Sequence, residues 1–208
     1  MDTIKQRSYG QFCGLARALD VIGDRWNLLI VRELLPGPLR YVDLKASLSG
    51  VATNLLAERL RSLEHHGVIE RRLGDVGVQY ALTAWGAELR EPMEALGRWG
   101  VPLLATGRGD DAFQPRWLVI ALPPLLRGRT ADPAWEIGFE VEGLLIVLRL
   151  DGDQATASIS PSTPPRTVLR AAPETVIGLV TGAISTDEAV AAGDVAGDVA
   201  EIRRAFGR

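Results

Sequence analysis

Residues 25–35 are apolar on nearly every side, since Trp26, Leu28, Leu29, Ile30, Val31, Leu34 and Leu35 leave almost no solvent face for a helix to show. Gly23-Asp24 and Pro36-Gly37-Pro38 bound the run, so Asp24 is expected as the N-cap and the prolines as the stop. A helix of that kind is stable only when other elements enclose it. The flanking sequence supplies them. Residues 11–22 carry Phe12, Leu15, Leu19 and Ile22 at helical spacing, a short helix fits 41–48, and a fourth fits 53–66 with Leu56, Leu60 and Leu63 on one stripe and Gly67 as its C-cap.

Two extended runs follow, 68–73 and 77–82, on either side of Gly74-Asp75-Val76, and read as a β-hairpin. Thr83 can cap a further helix with Leu89, Met93, Leu96 and Leu103 on its stripe, which Pro92 is expected to kink or divide. The best linker is Gly107 to Asp111. Beyond it, 115–126 leans towards helix despite Pro123-Pro124. The alternation of Trp135, Ile137, Phe139 and Val141 with Glu136, Gly138, Glu140 and Glu142 is that of a half-buried strand. Strands are expected at 144–150, 154–159 and 167–170, and helices at 174–181, 186–192 and 198–206, the second opened by the box Ser185-Thr186-Asp187-Glu188. The second half is therefore α+β, and domains are expected at 1–106 and 112–208.

No apolar run approaches the roughly 20 residues that span a bilayer, and the N-terminus has no apolar signal block, so a cytoplasmic protein without a membrane role is expected. One cysteine, Cys13, and two adjacent histidines supply neither a disulfide framework nor a metal-ligand set. No nucleophile–base pairing or phosphate-cradling glycine loop is present either, so no catalytic residue, cofactor or metal is assigned. The net charge of −3 argues against nucleic acid until the chain is divided: residues 1–104 carry +1 and residues 105–208 carry −4. Even +1 is weak. A DNA partner has to be argued from architecture.

Short helices followed by a hairpin are the order of a winged helix-turn-helix, in which one helix reads the major groove and the hairpin lies along the backbone. Turning the fourth helix away from Leu56, Leu60 and Leu63 puts Asn54, Glu58, Arg61 and His65 on the opposite side. Asn pairs bidentately with adenine, Arg with guanine, and Glu accepts from cytosine, while Thr53 at the helix start can reach a base or phosphate. Read blandly, Glu58 and Arg61 are an i,i+3 surface pair. In the hairpin, one of Arg71 and Arg72 must point outward, towards phosphate. Arg40 and Arg25 are candidates for the flanking backbone, and Arg59 is either a phosphate contact or an ion-pair partner of Glu64 or Glu33.

The stretch Cys13 to Leu35, then Arg40-Tyr41-Val42-Asp43-Leu44, Leu56 to Glu64, Gly67-Val68-Ile69 and Tyr80-Ala81-Leu82-Thr83-Ala84-Trp85-Gly86, resembles the HxlR-type winged-helix regulators of bacteria over about residues 9–104. The resemblance implies a homodimer joined through the first and last helices of this domain, and operator binding to double-stranded DNA. Where that family usually has Ser or Thr before the reading helix, Ala52 stands here, so Thr53 is expected to take over capping. Cys13 holds the place of a cysteine with which some members sense oxidants or electrophiles. Lys5 and Arg7 upstream favour a reactive thiol, whereas the lack of a resolving cysteine favours a small, half-buried structural residue.

Residues 115–207, chiefly Pro173 to Gly182 and Thr186 to Gly193, resemble sterol-carrier-protein-like domains. That implies a curved sheet backed by helices and a hydrophobic small-molecule effector, with Trp135, Ile137, Phe139, Val141 and Leu145 as candidate lining. The same alternation serves any sheet core. The leading expectation is a DNA-binding regulator tuned by such an effector. The competing one is a lipid carrier whose N-terminal half serves dimerisation.

Overall fold

The structure, a computed structural model, describes residues 8–74, 77–106, 108–159 and 163–207. It divides into two compact units, residues 1–93 and 94–208. Among the described residues no helix is long and apolar enough to cross a membrane.

In the first unit α1 (Gly14–Ile22) begins later than its periodicity suggests. Asp20 accepts hydrogen bonds from Ser8 Oγ at 3.0 Å and Tyr9 N at 2.9 Å, so the chain before Cys13 folds back along the helix instead of extending it. The second helix, α2 (Asn27–Leu34), also starts late. Asp24 does not cap it, because Trp26 occupies the N-cap with a left-handed φ of 84° and the Asp24 carboxylate is drawn to Arg59. Nor is α2 apolar all round: Asn27 and Glu33 are buried in it, Asn27 Nδ2 donating to Val21 O at 3.0 Å and Glu33 meeting Arg32 at 2.7 Å. Its Ile30, Val31 and Leu34 nevertheless form the centre of the core, packed with Leu44 of α3 (Tyr41–Ser47) and Leu56, Leu60 and Leu63 of α4 (Thr53–His65).

The hairpin joins β1 (Ile69–Gly74) to β2 (Gly77–Leu82), pairing Arg71 with Tyr80 and Arg72 with Gln79. Asp75 and Val76 of the expected turn lie outside the described residues. Leu39 exchanges two backbone hydrogen bonds with Tyr80, at 3.0 and 2.8 Å, which moors the hairpin to the loop between α2 and α3. Thr83 caps α5 (Ala84–Ala87) by accepting from Gly86 N. There a Cβ would lie 1.9 Å from Val68 O, so only glycine lets the two segments approach. The expected long helix does divide, but ahead of Pro92. The proline falls in the first turn of α6 (Arg90–Gly100), where a missing N–H costs no helical bond.

In the second unit a 3₁₀ turn (Val101–Thr106) follows α6. Gly107 of the expected linker is outside the described residues. The rest is fastened locally, Arg108 Nε donating to Asp111 O at 3.1 Å and its guanidinium lying 5.4 Å from the Phe113 ring. A second 3₁₀ turn (Pro115–Trp117) leads into α7 (Leu118–Leu125), which carries Pro123 and Pro124 in its last turn. The sheet is ordered β5-β4-β3-β6-β7, with β3 (Ala131–Val141), β4 (Leu144–Gly152), β5 (Gln154–Ile159), β6 (Val168–Arg170) and β7 (Asp194–Ala196). Only β3 and β6 run parallel. Ile137, Phe139 and Val141 of β3 share one buried face with Ile146, Leu148 and Leu150 of β4. Against it lie α7, α8 (Pro173–Thr181), α9 (Thr186–Ala191) and α10 (Val199–Phe206). The box at Ser185 closes as expected, with Ser185 Oγ accepting from Glu188 N and Glu188 accepting from Ser185 N.

Candidate nucleic-acid interface

The turn between α3 and α4 is held by side chains as well as by Leu48 and Val51 in the core. Lys45 Nζ donates to Val51 O at 2.7 Å, and Tyr41 Oη donates to Thr53 O at 3.0 Å. Both bonds fix where α4 begins. Ala52 is its N-cap and Thr53 its first residue, so Thr53 does not take over capping. Thr53 stays exposed at the helix start, where free backbone N–H groups favour an anion.

Along α4 the two sides separate cleanly. Leu56, Leu60 and Leu63 are buried, while Asn54, Glu58, Arg61 and His65 are exposed. Arg61 reaches its own helix, Nε to Ala57 O at 3.3 Å, and has no carboxylate partner among the described residues. The alternative reading of Glu58 and Arg61 as a surface pair is not met, since no ion pair joins them among the described residues. Glu58 instead lies 3.5 Å from Arg59.

Arg59 has a different task. Its side chain is only 17% exposed and is ion-paired to Asp24, thirty-five residues earlier, which ties α4 to the start of α2. Among the described residues its ion pairs are with Asp24 and Glu58, and not with the expected Glu64 or Glu33. Glu64 reaches across to the hairpin, where Arg71 forks onto it at 2.8 and 2.9 Å, and this pairing raises the Arg71 pKa. Arg71 and Arg72 are both exposed, rather than one of them, because the outer part of β1 has no layer packed upon it. Arg72 Nε donates to Glu70 at 2.6 Å. Arg40 forks onto Asp43 at 2.8 and 3.0 Å, which likewise raises its pKa. Arg25 lies over the Trp26 ring at 5.6 Å.

The expected contacts thus sort into three kinds. Asn54, Glu58 and Arg61 share an exposed helical face. Arg40, Arg71 and Arg72 are exposed but engaged, so a phosphate competes with a carboxylate for each of them. Arg59 is a positioning residue. Periodicity carried no signal for the Asp24–Arg59 or Glu64–Arg71 pairs, since both are long-range contacts.

Cys13 is exposed at the N-cap of α1, not half-buried within the helix, because the helix begins one residue later. Lys5 and Arg7 lie outside the described residues. In the second unit Ile137, Phe139 and Val141 are fully buried against the helices, and Trp135 packs edge-on to Phe206 at 5.1 Å. Leu145 is half-buried on the sheet's other face, where with Pro165 and Val168 it closes over Gly138 and leaves no room for a Cβ there.

A helix-turn-helix with a moored hairpin and an exposed polar helical face defines a winged-helix DNA-binding protein. The chain belongs to the HxlR-like helix-turn-helix family of transcriptional regulators, whose pattern it matches over residues 21–106. It is 35% identical over 94 residues to the HTH-type transcriptional regulator sll1512 of Synechocystis sp., covering 44% of this chain and 70% of that protein. With the HTH-type regulator YodB of Bacillus subtilis it shares 33% identity over 85 residues, 39% of this chain and 76% of YodB. The crystal structure of quinone-bound YodB is 31% identical, covers 42% of this chain and 96% of its own, and superposes with a TM-score of 0.39.

Proposed function

We propose that the chain is a homodimeric, sequence-specific regulator that places α4 in the major groove and reads bases with Asn54, Glu58 and Arg61. The observation that carries this reading is the free polar face of α4 on a helix whose other side is locked by Leu56, Leu60 and Leu63 and braced through Arg59. Thr53 meets a phosphate or the first base, Arg71 and Arg72 follow the backbone as the wing, and Arg40 and Arg25 touch flanking phosphates. Dimerisation is supported by apolar side chains left exposed on α1 and just before it (Phe12, Leu15, Leu19) and on α6 (Leu96, Trp99). A two-fold molecule places its reading helices roughly 34 Å apart, on successive major grooves. Footprinting on the DNA upstream of the chain's own gene tests this. A two-fold-related protected site is expected, and sequence-blind monomer binding refutes it.

Cys13 is read as a thiol open to electrophiles, since it is exposed and YodB has been solved with a quinone bound. A quinone that weakens DNA binding by the native protein but not by Cys13→Ser supports this, and equal responses exclude it. The second unit is read as a sterol-carrier-protein-like effector domain, supported by its sheet with helices on one face. With Ile137, Phe139 and Val141 taken up by core packing, Trp135 is the expected lining residue that best fits an open site. This weighs against a pure lipid carrier.

A further inference from the structure

In the second unit a cleft of about 630 Å³ opens beside the first half of β3 and the end of α10. The size suits a small molecule rather than a macromolecule. Its walls carry Arg129, Arg149, Arg166 and Arg204. Two of these are engaged, Arg149 with Asp151 at 2.6 Å and Arg204 with Glu201 at 3.9 Å. The other two have no carboxylate partner among the described residues, although Arg129 lies over the Phe206 ring at 5.8 Å. Two guanidinium groups facing one cleft offer paired donors to an anion, and their forked geometry favours carboxylate.

The backbone adds a further donor. Gly138 N donates to Thr167 O at 2.9 Å, and β6 begins only at Val168. By the two-residue alternation of a strand, Glu136 N–H points to the same edge, where no strand among the described residues covers it. Trp135 supplies an aromatic surface in the same cleft. Asp132 and Glu136 line it as acceptors, which disfavours a bare anion and suits a ligand that also carries a hydroxyl.

We propose that this cleft binds a small hydroxylated aromatic carboxylate, its carboxylate held by Arg129, Arg166 and the Glu136 N–H and its ring against Trp135. The proposal rests on the reading of the second unit as an effector domain, and replaces a neutral hydrophobic effector by an anionic one.

Calorimetry on the full chain tests it with 4-hydroxybenzoate, 4-hydroxybenzamide and decanol. Binding of 4-hydroxybenzoate is expected, with the uncharged amide and the variants Arg166→Gln and Arg129→Gln each about tenfold weaker. Arg127→Gln, on an exposed residue outside the cleft, should bind as the native chain does. Thermal melts of each variant separate lost binding from lost folding, and Arg166→Gln, at an exposed position, is expected to fold. Binding of decanol without 4-hydroxybenzoate overturns the anion proposal and leaves the effector-domain reading standing. Binding of none of the three overturns the proposal and removes the support for that reading. Equal affinity for acid and amide, or no loss in both arginine variants, overturns the proposal alone.

Discussion

In the first unit Arg40, Arg59, Arg71 and Arg72 each hold a carboxylate of the same fold, whereas in the second Arg129 and Arg166 hold none among the described residues. Net charge points the other way, since the first half of the chain is the more basic. A sum of charges counts guanidinium groups without asking what already neutralises them, and a carboxylate held beside an arginine offsets part of its pull on phosphate. The first unit therefore meets DNA with few cations free at the outset, Arg61 among them. Its non-specific affinity should be modest, and discrimination should come from the fit of α4 to the bases.

The largest effects expected concern the two folds themselves. Phe139→Ala should cost about 3–5 kcal/mol by leaving a cavity in the second core. Gly86→Ala should cost the first at least about 2 kcal/mol, because its new Cβ meets backbone that cannot rotate away. Urea titration measures both, and unchanged midpoints would show that neither contact constrains its unit.

Next in size are the contacts to DNA. Arg61→Ala should lose about tenfold in preference at one base position, whereas Arg72→Ala should lower affinity alike on all sequences. Binding measured against single-base operator variants separates the two, and equal sequence-blind losses would end the division between reading helix and wing.

Glu64→Gln sharpens the contrast between engaged and free arginines. It weakens the hold on Arg71, so affinity at low salt should rise severalfold. An unchanged affinity would mean that Arg71 does not reach phosphate.

The smallest effect belongs to the capping box of α9. Hydrogen bonds from Ser185 N and Oγ hold the Glu188 carboxyl below its ordinary range. A carboxylate so depressed adds stability above its unfolded pKa, and that stability fades as pH falls through the folded value. Glu188→Gln should flatten this acid-side slope in melts taken across the carboxylate range. A slope identical to that of the native chain would place the acid sensitivity elsewhere.

Much of this architecture was legible in the residue order. Periodicity located α4, its buried leucine stripe and its exposed Asn54, Glu58, Arg61 and His65, because a helix repeats every 3.6 residues whatever surrounds it. Alternation found β3, the turns at Gly143 and Asp151-Gly152-Asp153 marked off β4 and β5, and a local box found α9. Pairings between distant residues stayed out of reach. Asp24 looked like a cap and is a brace for Arg59, Arg71 found Glu64 across the wing, Leu39 joined Tyr80, and β7 escaped notice as three residues beside glycines. Chain spacing records which neighbours share a face, but not which carboxylate a distant arginine will meet or which strand edge will be left uncovered. Those depend on where whole elements come to rest, and only the packed structure decided them.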